Sequence, residues 1–397
     1  MTISEFGRSY LLLGLRLGKL IDGYVDSYFG PQELSQVVLE EGKQPPSELL
    51  EEARRLYTVL PDRGFAEERE HFIRKMLEAM TTSLELLSGI HYPYVEKVRR
   101  LFDVEPQLTS DDVFHDASRV LDELYDGGGT LPERMENYRK QNALPQEQVG
   151  PTMSKAFDMV RRQTDAVFGA ILPDDESIDV QVVKNAPWSA YNWYLGKAKS
   201  RIDINTDLPV QWNNVLHLAT HEGYPGHHTE HAVKESILYQ EQGRFENAIL
   251  LVHTPEATVS EGIGNMGEHV FYSPEELVKI GLEQFCPNPS DEPAVEVLVA
   301  RDEAMSKLSA FSGNLAIHAH VDGWTDDEIV KYATQFGFTS EQRVRQQLKF
   351  IRDPLWSPYV FNYFYGEKLI RDKFGPRPSP ANFVQLLTKP VLPSDLR

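Results

Sequence analysis

The residues with the clearest chemistry are His221-Glu222-Gly-Tyr-Pro-Gly-His227-His228, three imidazoles and a carboxylate within eight positions. Neutral imidazole nitrogens are good ligands for zinc. A carboxylate beside such an ion can take a proton from bound water. The group therefore suits a divalent metal with an open coordination position and a base next to it.

The spacing departs from the zincin signature H-E-x-x-H, in which the two histidines share one helix face. Four residues, not two, separate Glu222 from His227. On a straight helix the six steps from His221 would turn His227 about 240° away. His228 would return to the same face but about 10 Å along the axis. Pro225 lacks the N–H that would continue the helix, and Gly223 and Gly226 permit unusual backbone angles. The spacing therefore predicts a break at Gly-Tyr-Pro-Gly that returns His227 to the side of His221, with His228 as the alternative second ligand.

The stretch resembles the signature H-E-G/A-x-P-G-H-H-x-Q of the bacterial family called domain of unknown function 885, with Glu230 in place of the final Gln. That family is similar in fold to the Taq-type metallocarboxypeptidases, which are helical gluzincins. The resemblance spans roughly residues 150–375. It implies a third zinc ligand from a later helix: Glu261 matches the first Glu of E-G-W-A-x-Y-x-E and Glu268 the second, with Ile263 standing where the family has Trp. It further implies a functional Asn205 before the metal helix, His318 from G-L-H-x-x-x-W-T, and Tyr363 and Arg371 from the closing motif. Tyr363 or His318 would stabilise the oxyanion, and Asn205 and Arg371 would bind substrate, Arg371 as a clamp for a carboxylate.

Around these residues the chain reads as helices. Apolar spacing predicts helices over 5–28, 47–60, 65–88, 109–126, 131–143, 145–171, 291–313 and 340–352. Thr325 with Glu328 forms a capping box. Residues 178–183 and 201–205 read as strands, and the metal helix is expected over 211–221, resuming after His228 to about Gln242. The expected fold is mainly α, a large gluzincin-like domain over 1–397 with a small β-sheet beside the metal helix and a central cleft. Residues 1–170 would form a helical wall or lid, without evident chemistry, and 171–397 the catalytic half.

With 397 residues, 41% of them hydrophobic, the chain can bury a large core. A net charge of −20 argues against nucleic acid and anionic membranes as partners. Cys286 is the single cysteine, which fits a reducing cytoplasm, and the first residues lack the pattern of a signal peptide. The expected function is a hydrolase with one Zn2+ per chain, held by His221, His227 and Glu261, with Glu222 as the base. The substrate would be a peptide, in carboxypeptidase fashion, or alternatively another amide or ester. A metal-containing scaffold that only binds peptides is the third alternative.

Overall fold

A computed structural model describes residues 3–186 and 188–397. The fold is mainly α. Helix α1 (Glu5–Leu20) starts at Ser4, whose hydroxyl accepts the Gly7 N–H at 3.1 Å, and buries Tyr10, Leu11, Leu13 and Leu17. The sequence pattern suggested that this helix runs to residue 28. Instead the β-branched and aromatic residues of β1 (Val25–Tyr28) leave it and pair antiparallel with β5 (Ile249–Leu251). Helices α2 (Gln32–Glu40), α3 (Pro46–Val59) and α4 (Glu67–Leu87) pack on α1. Their shared core also takes in Phe245, Ile249 and Leu251, so the first residues of the chain are packed against the elements that lead into the candidate site.

Helices α5 (Tyr94–Phe102), α6 (Asp111–Leu124), α7 (Leu131–Gln141) and α8 (Gln146–Phe168) follow. Strands β2 (Ser177–Val183), β3 (Ala190–Gly196) and β4 (Lys199–Asn205) form a sheet in the order β2-β4-β3. The β2–β4 pair is parallel and the β3–β4 pair antiparallel. Along β3 the buried residues alternate, Ala190, Asn192 and Tyr194 facing inward, as a sheet with one covered face requires.

The chain then enters α9 (Val215–Glu222) and α10 (His227–Lys234), which continues as a π-helical stretch to Glu241. Next come α11 (Pro255–Phe271), α12 (Pro274–Gln284), α13 (Val295–Lys307), α14 (Phe311–His320), α15 (Asp326–Thr334), α16 (Glu341–Ile351), α17 (Asn362–Phe374) and α18 (Pro380–Thr388). The segment expected as one helix over 291–313 is two, α13 ending at Lys307 and α14 starting at Phe311. The Thr325 hydroxyl accepts the Glu328 N–H and Glu328 accepts the Thr325 N–H, the box that starts α15.

Helix α11 lies centrally. It packs along α9 on one side and α17 on the other, and touches α10 at its N-terminal half. Helix α17 contributes Phe364 to the apolar cluster of α5, α6 and α14–α16, and α9 contributes Val215, Leu216, Leu218 and Ala219 to that of α8, the sheet and α12. No helix of the described residues is long and apolar enough to cross a membrane.

Candidate metal centre

Helix α9 stops at Glu222 and α10 starts at His227, so the break falls within Gly-Tyr-Pro-Gly. The turn is closed by its own hydrogen bonds: the Tyr224 N–H reaches back to the Ala219 carbonyl at 3.1 Å, and the Gly226 N–H to the Thr220 carbonyl at 2.9 Å. A Cβ on Gly226 would lie 2.0 Å from the His221 carbonyl oxygen, so only glycine allows this approach. The Tyr224–Pro225 peptide bond is cis. The turn sets the His221 and His227 rings edge to face, 4.7 Å between centroids.

His221, His227 and Glu261 each offer a ligand atom, and these atoms lie within 4.8 Å of one another. Glu261 Oε2 is 3.8 Å from His221 Nε2, and the Tyr359 hydroxyl donates to Glu261 Oε1 at 3.0 Å. Donors around a tetrahedral zinc ion stand about 3.3 Å apart, so this carboxylate and imidazole are within a small side-chain movement of a binding geometry. His221 Nδ1 is buried without a hydrogen-bond partner and lies against Gly264 of α11, where a Cβ would stand 2.7 Å from it. The three side chains keep 14–17% exposure, so the group is reachable from solvent.

His228 points the other way. Its Nε2–H donates to Glu176 at 3.0 Å, and its Nδ1 accepts the Ser200 hydroxyl at 2.8 Å. Both nitrogens are thus engaged and the ring is fully buried, so it is not available as a ligand. Glu176 also accepts from the Tyr224 hydroxyl and from Arg161 Nε at 2.8 Å. Burial opposes its charge, but the hydrogen bonds from His228, Tyr224 and Arg161 outweigh this and pull the carboxyl down to about 2. One buried carboxylate therefore anchors the turn from behind. Arg161, Tyr224, Phe157 and Ile178 also line a cavity of about 370 Å³.

Glu222 is 7% exposed, and among the described residues no group hydrogen-bonds its carboxylate; only its backbone carbonyl is held, by Asn192 Nδ2 at 2.5 Å. Burial pushes the carboxyl up to about 7, the nearby Glu261 and Asp26 charges adding to the shift and His227 opposing it. Burial likewise raises Glu261. For His227 burial disfavours the imidazolium, but the nearby Glu230, Glu222 and Glu261 carboxylates prevail and raise it to about 9. Burial, then the neighbouring His227 and His217, hold His221 well below the usual range. Asp26 of β1 completes the surround, hydrogen-bonded by the Tyr191 hydroxyl and raised by burial. The group has more carboxylates than cations, a charge balance that would favour a positive ion.

Four residues expected at the site stand elsewhere or differently. His318 stacks on Trp324 at 3.9 Å, and its Nδ1 pairs with Asp322 at 2.6 Å at the α14–α15 corner. It is a core histidine of that corner, because the aromatic ring and the carboxylate satisfy both of its aspects. Asn205 is 2% exposed and spends its amide on the preceding loop, donating to the Ala186 and Trp188 carbonyls while its oxygen accepts the Asp207 N–H. No part of it is left for substrate. Arg371 pairs with Glu367 one turn earlier at 2.6 Å. Tyr363 is 52% exposed beside the site, and Tyr359, one turn before it, makes the contact to Glu261.

Other residues reach the site without having been expected there. His217 lies one turn before His221, their rings 5.5 Å apart, and pairs with Glu268 at 3.3 Å. Its i, i+4 spacing to His221 was visible in the sequence. Asp26, Tyr191, Tyr359 and Glu176 carried no such local signal.

No family model matches the chain, and no curated protein matches it. Among solved structures, a candidate lipoprotein from Colwellia psychrerythraea superposes with a TM-score of 0.51 at 15% identity, over 92% of this chain and 68% of that one. A candidate lipoprotein of unknown function from Shewanella oneidensis gives 0.44 at 10%, over 89% of this chain and 75% of that one. The first likeness speaks to the fold alone. The resemblance to the domain-of-unknown-function 885 family and to Taq-type metallocarboxypeptidases is thereby corrected. It rested on short motifs with departures at Glu230 and Ile263, no family model matches the chain, and the neighbour at a TM-score of 0.51 is a candidate lipoprotein at 15% identity.

Proposed function

We propose that this protein is a metal-dependent hydrolase of amide bonds, with peptides as the substrate class. His221, His227 and Glu261 would hold one divalent ion. Two imidazoles and a carboxylate make a hydrolytic zinc set, which leaves a position open. Such an ion, when bound, supplies an electrophile for the carbonyl and lowers the pKa of a coordinated water.

The chain's own residues supply the rest. Glu222 takes a proton from the attacking water on one side of the scissile bond and delivers it to the leaving nitrogen. Its burial and its lack of a hydrogen-bonding partner suit it to that exchange. Tyr359 keeps Glu261 turned toward the histidines. Tyr363, exposed beside Tyr359, has a hydroxyl free to meet substrate. Arg371, the cation that carboxypeptidase action would need, is tied to Glu367, so the proposal includes no exopeptidase mode.

The observation that carries this reading is the unpaired Glu222 carboxylate beside the His221–His227–Glu261 group: a purely structural ion has no use for a base there. Location in the cytoplasm, and the absence of nucleic-acid and membrane partners, belong to the same proposal. They are supported by the lone Cys286 and the net charge of −20. The test is hydrolysis of a peptide library and of small acylated amides by zinc-loaded protein, wild type beside E222Q. Peptide cleavage that falls at least 100-fold in E222Q while zinc remains bound is the expected result. Equal turnover in both proteins would sink the role of Glu222, and cleavage of the acylated amides alone would replace the substrate class.

A further inference from the structure

His227 belongs to two overlapping groups of potential ligands. One is the trio with His221 and Glu261. The other, His227, Glu230 and His231, also brings its ligand atoms within 4.8 Å of one another. His227, Glu230, His231 and Lys234 follow at three- and four-residue steps, so they share one face of α10. That face meets Glu256 and Ser260, which lie one turn apart on α11.

The hydrogen-bond directions along this face are forced. A carboxylate only accepts, so the Ser260 hydroxyl, 2.6 Å from Glu230 Oε2, donates its one hydrogen there. The Ser260 oxygen is then left as an acceptor, and the His227 Nδ1, 3.1 Å away, must donate to it. The remaining nitrogen, Nε2, is thereby the one free to carry a lone pair. Glu230 itself is held by the Lys234 ammonium at 2.7 Å, and Lys234 also reaches Glu256 at 3.3 Å. All three side chains are at most 6% exposed, so this is an internal charge system with Lys234 as its cation.

We propose that Glu230, neutralised by Lys234, is the positioning residue that fixes His227 through Ser260 so that Nε2 serves the ion at the His221–His227–Glu261 trio. The same contacts close the inner trio. An ion among His227, Glu230 and His231 would have to displace Ser260 from His227 and an ammonium from Glu230. His231, 7% exposed with Nδ1 unpartnered, would then hold no ion. The chain thus resolves two overlapping ligand sets into one site.

This inference rests on the metal-site reading above, and its test separates the two. Zinc affinity is measured on the full chain by competition with a chromophoric chelator, for wild type, E261Q, S260A and E230Q. The melting temperature and circular dichroism of each metal-free protein are recorded alongside. The expected result is a 10–100-fold loss of affinity in S260A and in E230Q. Their metal-free folds should be retained, since E230Q leaves Lys234 paired with Glu256 and S260A removes one hydroxyl. Wild type that binds zinc and E261Q that loses it, with S260A and E230Q both folded and binding as wild type does, would overturn the positioning role and leave the site standing. Wild type without zinc affinity, or E261Q binding undiminished, would overturn the site and this inference together.

Discussion

Tyr359 donates its hydroxyl to Glu261 Oε1 at 3.0 Å, which leaves Oε2 facing His221 Nε2 at 3.8 Å. One phenol thus chooses which carboxylate oxygen meets the histidines. Removing it should cost metal affinity without touching a ligand. Y359F is expected to bind zinc about 10-fold more weakly or worse, whereas Y363F, changed one turn away, should bind as wild type does. Chelator competition on the three proteins decides this, and equal affinity in Y359F would show that Glu261 is oriented by other contacts.

Helix α11 approaches His221 so closely that the Nδ1 atom takes the space of a side chain at position 264. G264A is therefore expected to push the ring out of place. It should lower stability by about 1–3 kcal/mol, the cost of overpacking a fitted contact, and abolish stoichiometric zinc binding. Thermal unfolding and zinc content measure the two effects. Unchanged zinc content in G264A would mean that His221 is mobile enough to bind from another rotamer.

Glu176 ties the turn between α9 and α10 to α8 and makes a pH-dependent contribution. Its folded carboxyl sits at about 2, below the ordinary 4.5. A carboxyl depressed by folding stabilises the native state fully above its unfolded pKa, and that contribution is lost as pH falls toward the folded value. The window is therefore about 4.5 down to about 2, with an amplitude on the order of 3 kcal/mol. Denaturant unfolding at stepped pH should show this slope in wild type and lose it in E176Q. The same slope in both proteins would assign it to other carboxylates.

The site was legible in the sequence where its parts are near in chain. His221, Glu222 and His227 sit in one motif, and the proline between two glycines announces the break that brings the histidines together. The helical character and two strands of the small sheet could likewise be read from periodicity and composition. What could not be read are contacts made by packing over long separations. Asp26 and Tyr191 meet across 165 positions, Tyr359 and Glu261 across 98, and His228 and Glu176 across 52. None of these carries a local pattern. Residues placed by motif similarity fared worst: His318, Asn205 and Arg371 have the right types, but partners close in chain already use them. Tyr363 does stand beside the site, but the contact to Glu261 is made by Tyr359 one helical turn earlier, which the short motif did not mark.

The central claim is that His221, His227 and Glu261 hold one divalent ion. Elemental mass spectrometry of the purified chain after incubation with zinc and removal of excess tests it, wild type beside H227A, E261Q and H228A. The account predicts about one zinc per chain in wild type, loss in H227A and E261Q, and retention in H228A, whose ring is occupied by Glu176 and Ser200. Wild type without zinc, or zinc lost with His228 and kept without His227, would contradict it.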